Sequence, residues 1–338
     1  MAVHCGAMRF AIGTLLLAAA ASACTKRAAL PPPSTDASAA IERALAAITP
    51  SRLEADVRAL PGPRHAETSR EALLAAATYI SGEFAANGLQ VRERRVTHGW
   101  ATAPVVIGRS GPSTGPARVL VVAHYDTVEG TPGADDNSSG VAGLLAVARA
   151  LKEAPPEVPV ELLAVPFEEQ GMHGSRAYAD SLDAEARAAL RGVFVLEMIG
   201  YVDRAPKTQR YPRGLGLLFP GRRFPDTADF IAAFGERARP QPVEALEAAR
   251  AFVPELRVET LLLPGPVAKM ADMRRSDHAP FWDLELPAAF VGDTANFRSP
   301  HYHRTSDTPE TLDYTFAART AKWVTAAVLL LARDDAGE

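Results

Sequence analysis

Histidines and carboxylates recur in this chain at the ends of apolar runs. Val119–Ala123 leads into His124, Tyr125 and Asp126, Leu162–Phe167 into Glu168 and Glu169, and Val193–Leu196 into Glu197. A glycine-punctuated loop carries Asp135, Asp136 and Asn137, and His301, Tyr302 and His303 follow far downstream. Zinc in hydrolytic sites takes imidazole nitrogen and carboxylate oxygen and keeps a position for water. Two such ions side by side need a carboxylate that touches both. His124, Asp136, Glu169, Glu197 and His303 supply one histidine and one terminal carboxylate per ion, plus a bridge.

Each residue also has a plainer role. A lone histidine at a strand end is ordinarily satisfied by neighbouring backbone. Asp126, two residues on, can accept the free imidazole N–H of His124, as outer partners of zinc-binding histidines do. Asp135, Asp136 and Asn137 are also good helix caps and turn formers, so one can cap while another ligates. Glu168 and Glu169 would be solvated loop charge, unless one binds metal while its neighbour handles a proton. Spacing leaves His301 and His303 equivalent. The combination, more than any member, points to a metal site.

The elements that must position these groups alternate. Helical patterns cover Ile41–Ala59 and Glu67–Asn87, strands Leu89–Thr97, Pro104–Gly108 and Val119–Ala123, and a helix Val141–Lys152. Strand Val158–Val165, helix Ser175–Asp180 and strand Val193–Leu196 come next. Phe230–Ala238 and Pro242–Phe252 read as helices, Val258–Leu263 and Ala288–Val291 as strands, with a short helix at Asp277–Trp282 and a closing one at Thr315–Leu331. Arg204–Arg223 is rich in Pro, Gly and Arg without periodicity, and reads as an insertion or rim loop. Strand–helix alternation predicts an α/β fold: one domain with a mixed, mostly parallel central sheet and helices on both faces. In such sheets ligands bind at the carboxyl ends of the strands.

HYD at 124–126, GADDNSSG at 133–140, EEQGMHGS at 168–175, EMIG at 197–200, RSDH at 275–278 and HYHRTSDTPETLDY at 301–314 closely resemble the co-catalytic two-zinc peptidases. That family holds secreted bacterial leucyl-type aminopeptidases, related carboxypeptidases and glutaminyl cyclases. The resemblance runs from about Arg64 to the last helix. It implies two Zn²⁺ ions, with His124 and Glu197 on one, Glu169 and His303 on the other, and Asp136 as bridge. It further implies a cis peptide at Asp136-Asn137 and Glu168 as general base, taking a proton from zinc-activated water and passing it to the leaving amine. Tyr302 matches a tyrosine that steadies the oxyanion in some members, or is a packing aromatic. Asp277 and His278 would support the ligands by hydrogen bonds. The implied activity is zinc-dependent exopeptidase, an aminopeptidase acting on peptides. The alternatives are a glutaminyl cyclase, a carboxypeptidase, or a binding protein on the same frame. Glu197 departs from members with aspartate there, and Arg204–Arg223 has no counterpart.

The N-terminal region reads separately. Arg9 precedes an apolar run, Phe10–Leu17, that continues through small residues to Cys24, the layout of a secretory signal. Ala21-Ser22-Ala23 before Cys24 resembles a bacterial lipoprotein signal, ordinary signal cleavage being the alternative. The expected organisation is a signal over 1–24, a Pro/Ala/Ser-rich linker over 25–40 and a catalytic domain over 41–338. The protein is thus expected to be exported, periplasmic or at the cell surface, and lipid-tethered at Cys24. Cys5 and Cys24 are the only cysteines, which rules out a disulfide within the domain. A formal charge of −4 without a basic, aromatic-interleaved stripe argues against nucleic-acid binding. Nothing in the sequence sets the oligomeric state.

Overall fold

Four β-branched and aliphatic runs, each buried along its whole length, make the centre of the molecule. They are β3 (Val119–His124), β4 (Val160–Val165), β5 (Gly192–Glu197) and β8 (Ala288–Gly292). Strands covered on both faces need no alternation of polar residues, and these show none. The computed structural model describes residues 32–60 and 62–334. Within them β1 (Gln90–His98), β2 (Ala101–Ser110), β6 (Ile231–Glu236) and β7 (Val258–Leu263) complete an eight-stranded sheet of order β1-β2-β4-β3-β5-β8-β6-β7. The pairs β4/β3, β3/β5, β5/β8 and β6/β7 are parallel, and β1/β2, β2/β4 and β6/β8 antiparallel. The chain leaves β3 to add β4 on one side, then returns to add β5 on the other. β3 is therefore the switch point of the sheet, where its carboxyl edge opens a crevice.

In chain order the helices are α1 (Thr35–Ala46), α2 (Pro50–Ala59), α3 (Arg70–Ala86), α4 (Gly140–Glu153), α5 (His173–Asp180), α6 (Ala184–Ala189), α7 (Leu215–Leu218), α8 (Gln241–Ala249), α9 (Gly265–Ala268), α10 (Ala279–Asp283) and α11 (Tyr314–Leu331). Contacts link α1, α2, α4, α8 and α11 into one layer, which α3 joins through α4; α5 and α10 pack together as a second group. Trp323 of α11, fully buried, donates its indole N–H to Leu246 O of α8 at 2.7 Å, so the closing helix carries both packing and a satisfied polar edge.

Three expectations need correction. Residues 35–40 are helical rather than linker: Ser34 caps Ala37 N, and α1 buries Ile41, Ala44 and Leu45. The Ile41–Ala59 pattern is two helices, divided where Thr49 caps Arg52 N and Pro50 opens α2. Phe230–Ala238 holds strand β6 (Ile231–Glu236) and the turn after it, not a helix. Its alanines suggested helix, but its burial alternates with period two and Gly235 lies against Val243 and the backbone of β8, where a Cβ would come within 2.9 Å of Val243 Cγ2. Tertiary packing overrode local propensity. The signal and Cys24 lie outside the described residues.

Candidate metal centre

β3 ends on His124 and β5 on Glu197, while the chain leaving β4 turns at Phe167 and delivers Glu168 and Glu169. Three neighbouring strands thus release their chemistry at one edge. Phe167, Met198 and His303 hold φ of 61°, 50° and 56°, a left-handed backbone that side chains tolerate only where packing enforces it. The Asp136-Asn137 peptide is cis, as the resemblance implies.

The five sequence-predicted ligands converge. His124 Nε2 lies 3.3 Å from Asp136 Oδ1 and 3.2 Å from Glu197 Oε1. His303 Nε2 lies 3.2 Å from Asp136 Oδ2 and 3.4 Å from Glu169 Oε2. The result is two three-residue groups that share only Asp136, which turns one oxygen to each. His301 takes no part; its Nδ1 meets Ser306 Oγ at 3.0 Å.

These donors fit a pair of divalent ions. Glu169 Oε1 is buried without a hydrogen-bond partner. Asp126, Asp136, Glu168, Glu169 and Glu197 crowd around two imidazoles, an excess of negative charge that a protein interior holds only against cations. Burial, reinforced by Asp136, lifts the Glu169 carboxyl to about 7. For His303 burial works downward, but Asp136 and Glu169 prevail and raise it to about 10. His124 is likewise raised, because Glu197, Asp126 and Asp136 outweigh its desolvation.

Most of the supporting bonds come from residues whose roles were not read from sequence. Arg64, fully buried, donates to Tyr125 O, Gly62 O, Pro132 O, Gly133 O and Ser138 Oγ, and so ties the end of β3 to the aspartate loop. Gly133, at φ 68°, leaves no room for a Cβ, which would fall 2.5 Å from Asp136 O. Asp307 accepts the backbone N–H of Asp135 (2.9 Å) and of Asp136 (3.0 Å), fixing the bridge from behind. Asp135 Oδ1, Asn137 Oδ1 and Ser139 Oγ accept from the N–H of Gly200, Met198 and Ile199, so alternate residues of the loop staple the end of β5. Asn137 also caps Gly140 N at 3.0 Å, the capping role expected of this run.

Asp126 does more than expected. His124 Nδ1 meets the backbone O of Asp126 at 3.2 Å, with the carboxylate Oδ1 3.5 Å away, while the two carboxylate oxygens accept Glu168 N and Glu169 N at 3.1 Å each. One aspartate aligns the histidine, chiefly through its backbone carbonyl, and the two glutamates through its carboxylate. Asp277 and His278 do not bond the ligands. Ser276 donates to Glu197 Oε2 at 2.6 Å, whereas Asp277 receives Ser175 Oγ at 2.5 Å. His278 meets Met273 O at 2.8 Å and packs edge-on to Trp282; its burial lowers it to about 4 and keeps it neutral. Tyr302 stacks on His303, ring centroids 3.8 Å apart, and its hydroxyl accepts from Arg275 Nη2 at 2.9 Å.

A cavity of about 130 Å³ opens beside Glu197, Ser276 and Tyr302. Its walls are mostly apolar, from Phe230 and Phe234 through Met273 to Phe290, and Arg204–Arg223 supplies Tyr211 and Leu215 to them. The segment without a counterpart is a pocket wall.

The protonation pattern gives a stability test. Burial raises Glu169, Asp277 and Asp307 each to about 7, and His303 stands at about 10. All four lie above their unfolded values, so these groups hold more protons in the metal-free folded chain than in the unfolded one; His278, lowered to about 4, works in the opposite sense, and only below about pH 6.5. The carboxyl contributions are lost as pH rises from about 4 to 7, and that of His303 from about 6.5 to 10. The Tm of metal-stripped protein is expected to fall by about 5 °C or more between about pH 5.5 and pH 8. Zinc-loaded protein should lose less or gain, because metal prefers deprotonated ligands. Thermal scans with and without chelator check this; a stripped chain that gains stability over that range contradicts it.

A mixed sheet with histidine and carboxylates gathered at its switch point around one bridging aspartate defines a two-metal hydrolase. The model of peptidase family M28 matches residues 105–236. The uncharacterized protein YfbL of Escherichia coli K12 is 33% identical over 283 residues, 79% of this chain and 83% of that one. This chain belongs to peptidase family M28. Aminopeptidase YwaD of Bacillus subtilis is 40% identical over 85 residues, 25% of this chain and 19% of its own length. Among solved structures, the zinc aminopeptidase BSAP of Bacillus subtilis superposes with a TM-score of 0.67 at 17% identity, covering 86% of this chain and 97% of that one. The glutaminyl cyclase of Porphyromonas gingivalis gives 0.59 at 17%, covering 83% and 98%. At such identity the two superpositions speak for the fold.

Proposed function

We propose that the protein is an exported zinc aminopeptidase that removes apolar N-terminal residues from peptides. The observation that carries this reading is the pair of complete three-residue groups on one aspartate, with Glu168 free beside them. Bound there, two zinc ions would supply Lewis-acid polarisation and an acidified water. The chain does the rest. His124, Asp136 and Glu197 would hold one ion, and Asp136, Glu169 and His303 the other. Glu168 receives a proton at its carboxylate and returns it to the leaving amine. Asp126 fixes the backbone from which Glu168 projects. Tyr302, its oxygen already accepting from Arg275, keeps its own O–H to donate to the developing oxyanion.

The apolar cavity beside Glu197 takes the side chain of the first residue, and the carboxylates at its mouth meet the α-ammonium. Zinc-loaded protein is expected to hydrolyse leucine and phenylalanine arylamides and to lose at least about 100-fold in kcat/KM on their N-acetylated forms, which lack the charge. Equal turnover of free and acetylated substrates would remove the aminopeptidase reading. A glutaminyl cyclase is disfavoured by the completeness of the second group, and a binding protein by the presence of Glu168.

Export and tethering rest on the Phe10–Ala23 run before Cys24. Cells expressing the chain should incorporate labelled palmitate into it, and Cys24→Ser should abolish the label. Label retained in that variant, or absent from the unaltered chain, rejects the anchor.

A further inference from the structure

Arg204–Arg223 is used only in part by the pocket. It carries Arg204, Lys207, Arg210, Arg213, Arg222 and Arg223 with no acidic residue, in a chain whose net charge is −4. Its base is firmly built. Asp203 bridges Ala228, Gln209 N donates to Asp226 O at 3.1 Å, and Arg210 N donates to Phe297 O at 2.8 Å. Tyr211 packs on Phe224 and Phe224 on Phe219, with centroids 5.2 and 6.2 Å apart. From this base the one-turn helix α7 turns Leu215 inward, 6% exposed, and Leu217 and Leu218 outward, 86% and 39% exposed. Two adjacent leucines presented to water at the tip of the segment call for a partner.

The surrounding charge says which. Arg204 pairs with Asp313 and Arg222 with Glu259, at 2.9 and 2.8 Å. Lys207, Arg213 and Arg223 are exposed and meet no carboxylate among the described residues. An apolar tip on a segment that also carries three exposed cations without carboxylate partners suits a bilayer with anionic headgroups: the leucines enter the acyl boundary while the guanidiniums and the ammonium stay at phosphate level. We propose that Arg204–Arg223 is a docking loop that seats the protein on an anionic membrane surface through Leu217 and Leu218, with Lys207, Arg213 and Arg223 on the headgroups. The docking is separate from any acyl anchor at Cys24 and does not depend on the proposed activity.

The test uses the full-length chain carrying Cys24→Ser, which removes the acyl site from every sample alike. It is sedimented with vesicles of phosphatidylcholine alone, or with about one-third phosphatidylglycerol. The expected result is clear preference for the anionic vesicles, weakened by high salt. Arg213→Gln with Arg223→Gln should lower that partitioning about 25-fold, near fivefold per cation. Leu217→Ser with Leu218→Ser should lower it on the order of tenfold. None of these residues lines the pocket or packs in the core, so the far-ultraviolet circular dichroism and Tm of the same samples should match those of the parent chain, which shows that the variants fold. Equal binding to neutral and anionic vesicles overturns the proposal. So does unchanged partitioning of either double variant.

Discussion

Glu168→Gln is expected to lower kcat by 10²–10⁴-fold, the usual worth of a positioned proton carrier, while both zinc ions stay bound. Glu168 belongs to neither three-residue group, yet its neighbour Glu169 does, and the two backbone N–H groups share the carboxylate of Asp126. The turn after β4 therefore commits one glutamate to metal and presents the other beside it. Burial, with Glu197, Asp277 and Glu169 nearby and His124 opposing, raises the Glu168 carboxyl well above its ordinary range in the metal-free chain. Such a group holds a proton readily, as an acid–base carrier must. Glutamine keeps the shape and cannot carry the proton. Metal analysis beside steady-state kinetics reads the result. Zinc lost together with activity would make Glu168 part of the metal cage.

Asp136→Ala should empty both sites, whereas Glu197→Ala and His303→Ala should each chiefly weaken one. The asymmetry follows from Asp136 giving an oxygen to each group while the other four residues serve one apiece. Loss of even an outer partner costs 10–100-fold in affinity, so loss of the shared carboxylate should cost at least about 100-fold at each site. Zinc titration followed by a chromophoric chelator distinguishes the patterns. If Asp136→Ala retained one tightly held zinc, the aspartate would not be the bridge.

His124, Glu169 and Glu197 were legible because each comes at the end of an apolar run, and those three runs became neighbouring parallel strands whose carboxyl ends share an edge; Asp136 and His303 stand in loops, and only the resemblance singled them out. A strand-end carboxylate is conspicuous against five or six buried aliphatics. Arg64 and Asp307 lacked that contrast: an arginine just after a Pro-Gly-Pro stretch and an aspartate in a Ser-Asp-Thr turn look solvated, and only tertiary structure buries them. Ser276 was passed over for Asp277 and His278 because a serine carries no charge to notice. The pocket was unreadable for a similar reason, since its walls come from Arg204–Arg223, β6, β7 and β8, and β6 itself resembled a helix. Local pattern marks where the strands end; which loops fold back over them is settled through space.

Anomalous diffraction at the zinc edge from crystals of zinc-loaded protein tests the central claim most directly. Two peaks are predicted, about 3.5–4 Å apart, with one oxygen of Asp136 on each, His124 and Glu197 on the first and Glu169 and His303 on the second. A single peak, or two that do not share Asp136, would contradict it.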